Sequence, residues 1–576
     1  FVDGPSRLYS VKSHRNTISH AVLCAYEPHV TAYWTRSDTE CPNERPSLTV
    51  CPHDENRARD SDRDRDRARS RRARTSTMLR GAKNRALRRA YAAAAKPALG
   101  GPRADAKATN GALAAIFGSG GKATTFAPMS ETHAHDAPTE ARATAPPTTS
   151  VTVLANGATI ASENTPGATL ACGAYVDCGS AREDAPWKRG FSHALERAAF
   201  RATKHRSGFR VTRECETIGA NLSASASREQ FCFAADALKT RAAETVELLL
   251  DCALNPALEN HEIERVVENL KTEVKELNEN PQALLMEATH ATAYAGGLGH
   301  ALVAPSGDLS HITGDALREF VRENFTAPRV VLAASGCEHD ELVRIAEPML
   351  ATLPSGEGSP ETPTTYVGGD FRQKSDSPIT SIVLGFEFKG GWRDTKASTA
   401  MTVLTMLLGG GGSFSAGGPG KGMYSRLYTR VLNRYSWAQN CTAFHSIFND
   451  TGIVGISAMA NSAHTGDMVK VMAGELQAVA ASGGVSPQEL ERAKNATVSS
   501  ILMNLESKAV VAEDIGRQML TYKYRKSAAD FIAEVRAVSA QDVQKVASDL
   551  LASAPTVAMT GELHAAPRYE DIKAMF

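Results

Sequence analysis

No two of the ten cysteines form a Cys-x-x-Cys pair, and three of them fall before residue 52. Scattered in this way they argue against a zinc ribbon and a disulfide framework, and reduced thiols fit an intracellular compartment. Long apolar runs are missing too: none approaches the ~20 residues that a bilayer-spanning helix needs, so a soluble protein is expected. Net charge is absent as well, with 64 basic against 64 acidic side chains and a pI of about 7.4. The whole-chain balance therefore points to neither nucleic acid nor membrane, although charge is unevenly placed along the chain.

Two leading segments differ from the rest. Residues 1–77 start on Phe1 and contain Asp54 to Arg74, an Arg/Asp/Ser run with almost no apolar content, which cannot fold alone. An RNA-binding tract is one reading; non-native sequence upstream of a start at Met78 is the expected one. From Met78 to Arg103 the chain is basic and alanine-rich, with no acid before Asp105, the composition of a mitochondrial transit peptide. Residues 78–148 are expected to be that peptide and a disordered leader.

The folded part opens near Ser150, where Asn156-Gly157 between Val151–Leu154 and Ala158–Ile160 gives a hairpin signal. Strands are expected at 168–176, 217–222, 230–234 and 330–333, and helices at 190–203, 236–254, 260–278, 281–293 and 314–324. Residues 352–378, rich in Pro, Gly, Ser and Thr, read as a linker. Beyond it the pattern recurs: a strand at 382–386, a helix leading into a glycine run, strands near 437–445 and 452–459, then helices near 464–482, 487–505 and 509–521. Glu262-Ile263-Glu264-Arg265 answers Glu489-Leu490-Glu491-Arg492, and Ala283 and Glu287 answer Ala509 and Glu513. The expected fold is therefore α/β of the α+β type. It has two homologous halves, 149–351 and 379–576, each a mixed or antiparallel β-sheet covered by helices and long enough to bury its own core.

The first half carries Phe191-Ser192-His193-Ala194-Leu195-Glu196-Arg197. An inverted zinc motif, His-x-x-Glu-His, places two imidazoles on one helical face with a glutamate between them as general base, and takes a third ligand from elsewhere. Arg197 breaks the motif, while Glu273 stands where a third ligand is plausible. A guanidinium has no lone pair to offer and cannot be deprotonated. Two like unit charges ~4 Å apart repel by about 4 kcal/mol at an effective dielectric of 20, and a dication repels a guanidinium by about twice that. His193, Glu196, Arg197 and Glu273 thus read as a degenerate pseudo-site without catalytic residues or metal, in which Arg197 pairs with Glu196 or Glu273. The alternative is that His193 and Glu196 are plain helix-surface residues.

The second half carries Gly409 to Tyr428, with eight glycines and one proline between two segments of helical composition. Glycine in an ordered element costs roughly 1 kcal/mol relative to alanine, so the run is either mobile or fitted closely around something. A phosphate loop fails, because Gly420-Lys421 is followed by Gly422 where Ser or Thr would hold magnesium. A floppy linker is disfavoured by Phe414, Met423 and Tyr424.

Leu408 to Tyr435, Asp450-Thr451-Gly452, Glu491-Arg492-Ala493-Lys494, Met503 to Ser507 and Glu513 to Gln518 closely resemble the pitrilysin/insulinase-like metallopeptidases. Within them the likeness is to the alpha-type chains of the mitochondrial processing peptidase branch, and it spans about 150–576. The resemblance implies a matrix heterodimer in which a catalytic beta subunit carries the intact motif and the zinc and removes basic presequences from imported precursors. This chain would be the non-catalytic half that binds the presequence. The implied substrate-binding residues are Gly409, Gly410, Gly411, Gly412, Ser413, Phe414, Gly417, Gly418, Gly420, Lys421 and Gly422. Acids to match a basic peptide are sought at Glu387, Asp394, Glu506, Glu513 and Asp514. Two rivals remain: a core subunit of respiratory ubiquinol-cytochrome c reductase, peripheral on the inner membrane, alone or combined with the first role, and an independent zinc peptidase, which Arg197 disfavours.

Overall fold

The computed structural model describes residues 148–413 and 422–576. The expected transit peptide and the segment before it lie outside these residues, as do Phe414, Gly417, Gly418, Gly420 and Lys421. Among the described residues no helix is long and apolar enough to cross a membrane.

The first half begins with the expected hairpin. Strand β1 (Ser150–Val153) turns into β2 (Thr159–Glu163) through Gly157, whose φ of 97° is open to glycine at no steric cost. After β3 (Thr169–Val176) come α1 (Phe191–Ala198) and α2 (Gly208–Ile218). Strands β4 (Asn221–Ala226) and β5 (Phe231–Leu238) follow, then α3 (Ala242–Leu254), α4 (Asn260–Asn278), α5 (Pro281–Ala293) and the short β6 (Tyr294–Gly296). Helix α6 (Gly314–Asn324), β7 (Val330–Ser335) and α7 (His339–Leu350) close this half. Its sheet has the order β1-β2-β7-β3-β5-β4, parallel only between β2 and β7.

Two expectations here are corrected. Thr217 and Ile218 end a helix instead of starting a strand: Ser207 caps α2 by accepting from Arg210 N, and Gly219 closes it at φ 73°. Val211 of that helix is buried against Leu248 and Cys252 of α3, with Cys215 and Ile218 alongside; the helical spacing of these three outweighs the short β-like stretch. The helix expected over 190–203 stops at Ala198, because Phe200 takes φ 60°.

In the segment expected to be a linker, β8 (Thr364–Tyr366) pairs with β6, and β9 (Gly369–Lys374) runs parallel to the last strand of the second sheet. The second half continues with β10 (Ile379–Lys389), α8 (Thr395–Leu408), β11 (Gly410–Gly412), β12 (Ala438–Ile447) and β13 (Thr451–Asn461). Helices α9 (Thr465–Ala480), α10 (Pro487–Asn504), α11 (Lys508–Tyr522), α12 (Ala528–Ala537) and α13 (Ala540–Leu551) precede β14 (Thr556–Gly561) and a terminal α14 (Tyr569–Lys573). Helix α10 starts as its sequence dictates, with Ser486 and Glu489 in a reciprocal capping box and Pro487 in the first turn. The sheet order is β11-β12-β13-β10-β14-β9. Read from its parallel pair, it repeats the first sheet strand for strand, with β1 and β11 as the additions at opposite edges.

One face of each sheet is covered by its own helices. In β3, Leu170, Cys172, Ala174 and Val176 point into a core shared with α1, α3 and α4, as the period of two requires. The opposite faces are exchanged. Ala161, Tyr175, Val331 and Ala333 of the first sheet are buried against Val511, Ile515 and Met519 of α11, which belongs to the second half. Reciprocally, Leu285 of α5 is buried with Val383 and Ala558 of the second sheet. Each half therefore does not bury its core alone, contrary to expectation: half-length suffices for one sheet face, and the duplicated helices at 281–293 and 508–522 supply the other in trans.

Candidate functional site

Helix α1 is positioned from its first turn. The buried Glu183 carboxylate accepts from Gly190 N at 2.9 Å and Ser192 N at 2.8 Å, satisfying two of the helix's free amides. Burial pushes its carboxyl up to about 7 against the pull of those two bonds. Gly190 has φ 87°, and a Cβ there would stand 2.8 Å from Ala304 Cβ, so the loop bearing Ala304 lies directly on the start of α1.

Along α1 and α4 the fold gathers the residues read from the broken motif. Arg197 Nε donates to Glu273 Oε2 at 2.8 Å and its Nη1 to Glu196 Oε1 at 2.8 Å. Glu196 Oε2 accepts from Ala226 N at 2.9 Å, at the end of β4. His193 is buried; its Nδ1 accepts from Ala304 N at 3.2 Å, which leaves Nε2 as the protonated nitrogen of the neutral ring, 3.3 Å from Glu273 Oε2. Burial would raise the Glu273 carboxyl, but the bonds from His193 and Arg197 outweigh it and hold the group below the usual range.

These residues do not fit a zinc ion. The guanidinium lies against both carboxylates, and the nitrogen of His193 that faces Glu273 is a donor in this tautomer. Among the described residues no group of His, Cys, Asp and Glu side chains is arranged to hold a metal.

The glycine run is ordered where it starts. Gly410–Gly412 pair antiparallel with Thr442, Cys441 and Asn440, so β11 forms the edge of the second sheet. At Gly410 (φ 109°) a Cβ would meet Cys441 O at 2.0 Å, and at Gly409 it would meet Ser425 Cβ at 2.4 Å. Any side chain at these two positions breaks the edge. At Gly411 and Gly412 a Cβ would meet no described atom. Ser425 Oγ accepts from Gly410 N at 3.1 Å, so the two ends of the run are clasped together. Past Ser413 and Gly422 the chain is rooted by Arg426, fully buried and 3.2 Å from Glu489, and by a π-helical turn at Tyr428–Leu432 in place of the longer helix expected there.

Of the acids expected to face a basic peptide, three are engaged in contacts of their own. Asp514 is buried and bonded to Arg525 at 2.8 Å, Glu513 is paired with Arg517 at 2.9 Å, and Asp394 caps α8 through Ala397 N. Glu506 is exposed. Glu387 is half-buried on β10, three strands from β11 or about 14 Å at ordinary strand spacing. Burial raises its carboxyl, and its charge is felt by the hydroxyls of Tyr294 and Tyr366. Sequence reasoning missed Glu183, Ala226, Ala304 and Ser425. An acid ahead of a helix start was a readable signal for Glu183; the two alanines act through backbone amides and leave none.

Residues 159–306 match the model of Insulinase (Peptidase family M16), and residues 311–497 match that of the Peptidase M16 inactive domain. Mitochondrial-processing peptidase subunit alpha of Solanum tuberosum is 47% identical over 431 residues, spanning 75% of this chain and 85% of that protein. The chain belongs to peptidase family M16. The Homo sapiens mitochondrial-processing peptidase subunit alpha is 35% identical over 446 residues, 74% of this chain and 84% of its own. A chain of complex III2 from Candida albicans superposes on this M16 fold with a TM-score of 0.65 at 20% identity, over 74% of this chain and 99% of that one; that likeness is one of fold. M16 enzymes are zinc metallopeptidases, and the first M16 half here holds Arg197 where the inverted motif has its second histidine.

Proposed function

We propose that this chain is the non-catalytic, presequence-binding subunit of a mitochondrial processing peptidase. Its zinc-bearing beta subunit cuts targeting presequences from imported precursors in the matrix. The observation that carries this reading is Arg197, bonded to both carboxylates of the broken motif, in a chain 47% identical to a potato protein named as that peptidase's alpha subunit.

Presequences are basic, extended and varied in sequence, so their receptor needs recognition that does not depend on particular side chains. The clasped run from Gly409, with Gly410–Gly412 held as an edge strand, supports that role by presenting backbone amides and carbonyls without side chains in front of them. The segment 78–148 is proposed as the chain's own transit peptide, which N-terminal sequencing of mature protein from mitochondria tests: a start well after Met78 is expected. Deleting Gly409 to Gly412 is expected to leave the heterodimer assembled and to raise KM for a precursor at least tenfold with a smaller change in kcat. Unchanged KM and kcat refute the proposal. Co-purification with cytochrome b and c1 haems would instead favour the second reading, a core subunit of ubiquinol-cytochrome c reductase.

A further inference from the structure

The cluster around Arg197 ties together more than a vanished metal site would require. Arg197 lies on α1 and Glu273 on α4, so their bond joins two helices. Glu196 divides its carboxylate, with Oε1 on Arg197 and Oε2 on the amide of Ala226. That amide belongs to β4, the free edge of the first sheet.

The register explains why the last contact matters. Ser227 N donates to Gln230 O at the turn between β4 and β5, and antiparallel pairing alternates. Ser225 and Ser223 therefore exchange bonds with β5, while the amides and carbonyls of Leu222, Ala224 and Ala226 point away from the sheet. An outward row of this kind is a template for another strand unless something closes it. Glu196 closes it at Ala226, and Arg197 fixes the carboxylate that does so.

We infer that Arg197 is a positioning residue: a built-in cation that stands in for a bound dication, orients Glu196 onto Ala226 N–H, and so clamps the end of the β4 edge to α1. The same guanidinium holds Glu273 against His193, whose ring is fixed as a donor by the Ala304 amide. The arrangement is complete without metal: the guanidinium bridges both carboxylates, and the Ala226 and Ala304 amides hold Glu196 and His193. This inference concerns the first half only and does not depend on peptide binding in the second.

Amide hydrogen exchange on the full chain tests it, with Arg197→Gln, Arg197→Lys and Glu196→Ala as variants. In Arg197→Gln and Glu196→Ala the Ala226 amide is expected to exchange about tenfold faster or more, the loss of one bond to a charged acceptor, with amides of β3 and β7 unchanged. Arg197→Lys keeps the charge without the fork and should fall between wild type and Arg197→Gln. Melting of the wild-type chain should be the same with added zinc and with chelator. Unchanged Ala226 exchange in Arg197→Gln overturns the inference. So does equal acceleration across the whole sheet, which would make Arg197 a general stabiliser, and so does a zinc-dependent rise in the wild-type melting temperature.

Discussion

Gly516 is the residue at which the exchanged packing leaves least room. A Cβ there would stand 2.2 Å from Cδ2 of Tyr175, whose ring is buried between the first sheet and α11. Helix propensity alone favours Ala over Gly by about 1 kcal/mol, whereas forcing an atom into a filled core costs typically 1–3 kcal/mol. The steric effect wins, so Gly516→Ala is expected to destabilise the protein by up to about 2 kcal/mol, read as a lower urea midpoint at unchanged slope. A higher midpoint would mean that Tyr175 has room to move aside. At this scale, legibility follows chemistry. His193, Glu196 and Glu273 were readable because side-chain type and helical spacing carry a metal motif, and Arg197 because a guanidinium cannot ligate. The amides of Ala226 and Ala304, which complete the cluster, have no side-chain signature. The facing of Glu387 was open for a related reason: sequence shows that an acid lies on a strand and leaves open which end of which face it reaches.

At the scale of elements, helices with steady apolar spacing or a capping box emerged within one or two residues of expectation, the first at Asn260–Asn278, where Ile263, Val266, Leu270 and Val274 are buried, and the second at Pro487–Asn504. Misreadings fell on short segments where two periods compete, as at Thr217 to Leu222. The exchange of α5 and α11 was invisible because each helix has an apolar face that fits either sheet; duplication makes the two sheets alike and leaves the choice to topology. A test follows from that ambiguity. Expressed alone, residues 148–361 would present Ala161, Tyr175, Val331 and Ala333 to water, since their cover is α11. That fragment is expected to aggregate or to bind a hydrophobic dye, and to become soluble as a complex when co-expressed with residues 362–576. A monodisperse, cooperatively melting fragment 148–361 would show that the first sheet is self-sufficient.

At the scale of the molecule, both sheets lie in one compact unit, joined by polar contacts as well as by the exchanged helices. His290 of α5 reaches Ser446 of β12 at 2.9 Å, and Thr521 of α11 reaches Asn449 at 3.1 Å. Glu229, in the turn between β4 and β5, accepts from the same residue's amide, Asn449 N, with both oxygens at 3.1 Å. Burial pushes the Glu229 carboxyl up to about 8 despite that bond, with Asp177, Glu361 and Asp450 adding repulsion. In the unfolded chain the group ionises near its ordinary value of 4.5. Between these two values the folded state holds a proton that the unfolded state has lost, so this group's contribution to stability falls as pH rises from about 4.5 to about 8 and is level beyond it. Glu229→Gln keeps an oxygen for Asn449 N–H and cannot ionise. Its stability relative to wild type, measured by urea unfolding from pH 5 to 9, is expected to climb through that window and then flatten. A difference that stays constant across the range would show that Glu229 is ionised in the folded protein at neutral pH, and that the junction between the halves tolerates its charge.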